Sequence, residues 1–320
     1  MFCLNIKSQH TPVRSLSFCI LSTALLVVLS IRSLQGELFI TDTQYMVAAG
    51  RWIIANGHLP TTDPLTIHSE LAYICQQYPI CILVAVLYDT FGEMSVRLFF
   101  ALLNMVAVLF IWYITFPKAG NRLLHCAVSC VFGAIIVYSL RSTPRALDIL
   151  CLAVSWELIG KYIESRDIRF LFGFPFLGVF MANVHGALWP CAIMLPLTAL
   201  FESELNMRAR IALAVTILLT IASAMLNPYG LDVLSLPFKT IGTSDVATVA
   251  VPELKPMFSI VPVEAVILIV ISVMPVIFHA KCLGFKKTVF SFETMMISGL
   301  LFHLVDTDMY ASIRFGGTVN

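Results

Sequence analysis

Charge is the scarcest property of this chain. Only 12% of its 320 residues are Asp, Glu, Lys or Arg, against 59% hydrophobic, where a soluble domain carries roughly 25% charged residues. That shortage leaves little room for a soluble domain and points to a polytopic membrane protein. The charges nearly cancel, at a formal net of +1, and form no long basic block, so no nucleic-acid partner is expected. No Walker-type glycine loop, HExxH helix or GxSxG elbow occurs, so the common ATPase, zinc-protease and serine-hydrolase motifs have no support. The nine cysteines lie mostly inside apolar runs with no close ligand-type grouping, as small buried hydrophobes do. No internal repeat, low-complexity tract or heptad seam stands out.

What the chain has is hydrophobic segments, at about 14–31, 79–91, 95–116, 122–140, 146–163, 168–183, 187–202, 209–226, 260–280 and 288–305. A span needs around 20 apolar residues, or about 17 at the short end. The piece 79–91 is too short to cross and opens on Pro79. Treating it as interfacial or re-entrant puts Lys118, Arg122, Lys161, Arg166, Arg169, Arg208, Arg210, Lys281, Lys286 and Lys287 on the side of the N-terminus. Short basic loops prefer the cytoplasmic side. The expected fold is therefore all-α: a polytopic membrane protein of about nine transmembrane helices with outer juxtamembrane helices. The first span has no evident small-x-small cleavage site and reads as uncleaved. Residues 1–320 read as a single membrane domain. Within it, 32–94 is the first outer loop, 95–260 a helical module and 261–320 a short C-terminal part of the kind a truncation leaves.

The longest early polar stretch is 41–70, TDTQYMVAAGRWIIANGHLPTTDPLTIHSE. Thr41 or Asp42 caps a short helix that should stop at Asn56-Gly57, a common left-handed terminator. Prolines at 60 and 64 then impose turns. Asp42 and Asp63 bracket this helix beside the membrane. A carboxylate there can bind a metal, orient a phosphate through it, or take a proton from an attacking hydroxyl. Each acid also has a plainer reading, as a helix cap or turn cap. Arg141 and Arg145 follow the span 122–140 and suit a lipid phosphate. Asp148 follows near the top of a helix, where an acid is costly unless paired or functional. His185 precedes Gly186 and can contact phosphate, a carboxylate or a metal. Tyr229, in LNPYG, and Trp52 read as interface anchors. Glu253, Lys255, His58, His68, Glu70 and Gln77 are further polar residues on the expected outer face.

These residues resemble those of the GT-C superfamily of membrane glycosyltransferases. The nearest likeness is to bacterial multispan relatives of the protein mannosyltransferases and lipid aminoarabinose transferases. The match runs through Asp42, Tyr45, Gly50, Trp52, Ile53, Gly57, Pro60, Asp63 and Pro64 in the first loop. It continues at Ala182, Asn183, His185 and Gly186, and at Leu226 to Gly230. Met181 stands where Trp is usual, Gln77 where an acid is common, and Thr143-Pro144-Arg145 keeps part of an Arg-Pro pattern. The resemblance implies a polyprenyl-phosphate sugar as donor, an outer-facing site on the cytoplasmic membrane and inverting transfer. The acceptor would be an envelope lipid, glycan or protein. Asp42 takes the place of the acid that activates the acceptor or helps hold a divalent metal, Asp148 that of a second acid, and Arg141 or Arg145 that of a phosphate holder. The alternatives are a non-catalytic scaffold or degenerate relative, and a transporter of lipid-linked sugars. The sequence leaves sugar, linkage and oligomeric state open.

Overall fold

A computed structural model describes residues 11–34, 42–65, 72–116, 144–201 and 205–241, with short helical pieces between 123 and 134. Among the described residues 83% are helical and no strand forms, so the all-α expectation holds. The expected segments 260–280 and 288–305, with Glu253, Lys255, His68, Glu70 and Arg141, lie outside them. The main helices of the described residues are α1 (Thr11–Leu34), α2 (Asp42–Asn56), α3 (Tyr78–Phe91), α4 (Glu93–Thr115), α5 (Arg145–Ser165), α6 (Gly173–Val184), α7 (Cys191–Ala199), α8 (Met207–Ala224) and α9 (Leu231–Ile241). Two of them, α4 and α8, are long and apolar enough to cross a membrane. The helix at 79–91 is 14 residues long, as its short apolar run implies. The segments 168–183 and 187–202 are each broken by a 3₁₀ turn, at Ile168–Phe172 and Gly186–Leu188, which leaves α6 and α7 short.

The chain forms two compact units. The first comprises Met1–Gln44 and Leu87–Leu150, the second Tyr45–Val86 and Cys151–Asn320. In the first, α1 packs on α4. The Phe18 and Trp112 rings lie 5.6 Å apart, and the Arg14 guanidinium sits 4.6 Å from the centre of the Tyr113 ring. Gly92 begins α4 with φ 76°, a left-handed conformation that costs glycine little. The i,i+4 pair Glu93–Arg97 then supports the first turn.

The second unit is built on α6 and α8. Gly178 lets them touch: a Cβ there would lie 2.6 Å from the Thr220 carbonyl. The Ser223 hydroxyl donates to the Pro175 carbonyl across the same seam at 2.8 Å. Small residues and hydroxyls at a helix–helix seam are how apolar helices associate where lipid gives no hydrophobic drive. Thr216 and Thr220 return their hydroxyls to the Ala212 and Thr216 carbonyls, so neither leaves a donor unpaired. Asn206 caps α8 by accepting from the Ala209 amide at 2.9 Å. Among the described residues, one buried cluster surrounds Tyr162, Phe174, Leu195 and Leu213 and another surrounds Met181, Ala182, Trp189 and Val233.

Candidate functional site

In the second unit a network of polar side chains forms where three loops meet. The first loop begins where α2 stops. Gly57, at φ 69°, ends the helix with its amide on the Ile53 carbonyl, as the Asn56-Gly57 terminator predicts. The chain then runs through the buried Pro60 and doubles back, with Thr62 bridged to Ala72 and the Tyr73 amide on the Thr61 carbonyl. Asp63 accepts the Leu65 amide at 2.9 Å, so its carboxylate caps this turn.

Tyr229 fastens that loop. Its hydroxyl donates to the Pro60 carbonyl, 169 residues away, at 2.9 Å and accepts the Cys75 amide at 3.2 Å. The Tyr229 amide in turn donates to Asn227 Oδ1 at 2.9 Å. Asn227 is buried, and its Nδ2 donates to the Ala182 carbonyl at 2.7 Å and to Asn183 Oδ1 at 3.3 Å. Asn183 Nδ2 reaches back to the Leu226 carbonyl at 3.0 Å, and Asn183 Oδ1 also accepts the Tyr78 hydroxyl at 2.8 Å. Gln76 completes the knot. Its carbonyl accepts the Gly186 amide at 2.7 Å and its Oε1 the Ala187 amide at 3.0 Å. Gly186 has no room for a side chain, since a Cβ would stand 2.9 Å from Val233 and 3.2 Å from the Gln76 carbonyl. In a low-dielectric interior such a network stabilises only when its members are satisfied, and these pair with one another.

Beside the knot, α2 and α3 cross at Gly50. A Cβ on Gly50 would fall on the Cys81 carbonyl and 2.7 Å from the Ala85 side chain. Tyr45, on the same helix as Gly50, is acted on electrostatically by Cys75, Cys81, Asp63 and Tyr229. Burial first, and then these neighbours, hold the Tyr45 phenol well above its ordinary range. Burial likewise pushes the Tyr229 phenol up to about 12. Both are neutral hydroxyls at physiological pH, able to donate and accept hydrogen bonds.

No family model, curated protein or solved structure matches the chain. Its functional reading therefore rests on the residues themselves.

The expected site residues divide between the two units. In the first, Asp42 is exposed as the opening residue of α2, where the positive end of the helix favours a carboxylate. Asp148 is fully buried in the first turn of α5, one turn after the half-buried Arg145. In the second, Asp63 caps its turn and acts electrostatically on the Tyr45 phenol, and half-buried His185 ends α6 with its amide on the Met181 carbonyl. Among the described residues, no three His, Cys, Asp or Glu side chains gather so as to hold a metal ion. His58 is exposed and stacks edge-on against Trp52, with ring centres 5.2 Å apart. Sequence reasoning did not single out Gln76, Tyr78 or the Cys75–Cys81 pair, and gave Tyr229 the part of an interface anchor. The available signal was a cluster of polar side chains, Gln76, Gln77 and Tyr78, just before an apolar helix.

Proposed function

We propose that this chain is a membrane glycosyltransferase that moves a sugar from a polyprenyl-phosphate donor to a cell-envelope lipid, glycan or protein acceptor. The observation that carries this reading is the knot. The turn at 57–64, the segment 182–186 and the segment 226–230 are the stretches whose residues resemble the GT-C pattern. Direct hydrogen bonds join all three. Separate motifs that converge on one point are better explained by a shared site than by three independent chance likenesses.

In this reading about nine spans cross the cytoplasmic membrane, with the basic connections inside and the knot on the outer face. The outward stripes on the two long helices fit a lipid surround: Leu98, Leu102 and Val106 on α4, and Ile211, Val215 and Leu218 on α8, are all exposed. Asp42 acts as the base. It takes the proton from the acceptor hydroxyl as that oxygen attacks the anomeric carbon. The carbon–oxygen bond to the phosphate breaks, polyprenyl phosphate leaves with the bonding pair, and the anomeric configuration inverts. Arg141 and Arg145 hold the phosphate as its charge grows. Asp148 is the second acid, and His185 lies on the segment that closes the knot. A divalent metal held in part by Asp42 is the alternative way for this carboxylate to act, and the steps above use the carboxylate as the base.

The test is transfer by the full chain in lipid vesicles. A panel of labelled polyprenyl-phosphate sugars is supplied with envelope extract as acceptor. Label moving from at least one donor into a lipid, glycan or protein fraction supports the reading. Folded protein that transfers from none of them removes it and favours a scaffold.

A further inference from the structure

Cys75 and Cys81 lie outside the proposed reaction, yet the fold brings them together. Both are buried, and their sulfurs are 3.9 Å apart. Cys81 sits in the first turns of α3, where Gly50 presses on its carbonyl. Cys75 lies three residues before that helix, in the loop that Tyr229 fastens through the Cys75 amide. The two ends of this short stretch are thus held separately, one by the helix crossing and the other by the knot.

We infer that Cys75 and Cys81 are a dithiol–disulfide pair whose oxidation ties the 57–78 loop covalently to the start of α3. The sulfurs must close from 3.9 Å to about 2.05 Å. The chemistry is thiol–disulfide exchange with a disulfide oxidant. One cysteine thiolate attacks a sulfur of the oxidant, forms a mixed disulfide and releases the oxidant's first thiolate. The second cysteine thiolate attacks the protein sulfur of that mixed disulfide, and the oxidant's second thiolate leaves. Two electrons pass from the cysteine pair to the oxidant, and the two cysteine protons go to solvent base. The product removes the weak S–H···S contact and fixes Cys75, whose amide is one of the two partners of the Tyr229 hydroxyl. Oxidation therefore tightens the knot, and reduction returns it to the hydrogen-bonded state with separate thiols. This inference rests on the sulfur geometry and not on the glycosyltransferase reading.

Differential alkylation of the full chain in lipid vesicles tests it. The protein is inserted and folded in an oxidising glutathione buffer, and a parallel sample folded in reductant is then treated with diamide. Each is quenched in acid, denatured and blocked with N-ethylmaleimide. It is then reduced and labelled with a heavy form of the same reagent, and peptides are mapped by mass. The expected result is heavy label on Cys75 and Cys81 together, one unreduced peptide two hydrogens lighter, and no such gain in a sample kept reduced. Proteolysis within 57–78 should also slow on oxidation and recover on reduction. Light label on both cysteines under both oxidising regimes overturns the inference, as does pairing of either one with a different cysteine. The measurement is made on the wild-type chain, so it does not depend on a Cys75→Ser or Cys81→Ser variant folding. Where those variants fold, neither should give the peptide two hydrogens lighter, and the remaining cysteine should be reduced or hold only a mixed disulfide with the oxidant.

Discussion

Removing one oxygen atom from Tyr229 should loosen the 57–78 loop without altering any charge or appreciable volume. The hydroxyl joins the Pro60 carbonyl at 2.9 Å to the Cys75 amide at 3.2 Å, and both residues are buried. A hydrogen bond contributes about 0.5–1.5 kcal/mol net, and a buried polar group left unpaired costs about 1–3 kcal/mol. Phenylalanine supplies neither the donor nor the acceptor. Tyr229→Phe is therefore expected to lower stability by about 2–3 kcal/mol, with part of the loss confined to the loop. Chemical denaturation in mixed micelles gives the total, and hydrogen exchange at the Cys75 amide gives the local share. The pH dependence adds a second readout. Burial raises the Tyr229 phenol from 10.0 in the unfolded chain to about 12 in the folded one. Its stabilising contribution is therefore full below pH 10.0 and is lost as pH rises through about 12. Over that window the wild type should lose more stability than Tyr229→Phe. A change below about 0.5 kcal/mol, with unaltered exchange at Cys75, would refute the bridging role of the hydroxyl.

Gly50→Ala drives a methyl group into the Cys81 carbonyl and the Ala85 side chain. Overpacking costs about 1–3 kcal/mol, beyond the helix-propensity gain of about 1 kcal/mol, so thermal unfolding should show net loss; an unchanged midpoint would deny the close crossing. Asp63→Asn keeps an acceptor for the Leu65 amide, so stability should move by less than about 0.5 kcal/mol. Its transfer rate should fall less than that of an Asp42 variant, and a larger fall would make Asp63 the principal acid. Single-cysteine labelling in a cysteine-free background should find positions 118 and 161 cytoplasmic and 42 and 185 outside. Labelling of position 161 from outside intact cells would reverse the topology.

The parts of this fold that sequence anticipated are those governed by local chemistry. Asn56-Gly57 ends α2 because glycine accepts positive φ there, and α3 is short because its apolar run is short. Asp63 behaves as the turn cap that Thr-Asp-Pro suggests. The breaks within 168–202 were harder to read. Proline and glycine punctuate an otherwise apolar run, and hydropathy alone merges its pieces. The end of α5 is marked by Arg166 at φ 59°, a position where sequence would favour glycine. The knot was not legible at all. Its bonds join residues such as Tyr78 and Asn183, 105 positions apart, and no local spacing encodes which distant carbonyl a tyrosine or asparagine will meet. Only the resemblance hinted that the three segments belong together.

The central claim is that Asp42 supplies the charge for transfer from a lipid-linked sugar. The measurement that tests it is the initial transfer rate at saturating donor for the wild type and Asp42→Asn, with folded yield followed in parallel. Asn caps a helix about as well as Asp, so the variant should fold normally. Loss of a general base costs about 10²–10⁴-fold in rate, and a fall of that size with wild-type yield is the predicted result. Turnover by Asp42→Asn close to that of the wild type would contradict the claim.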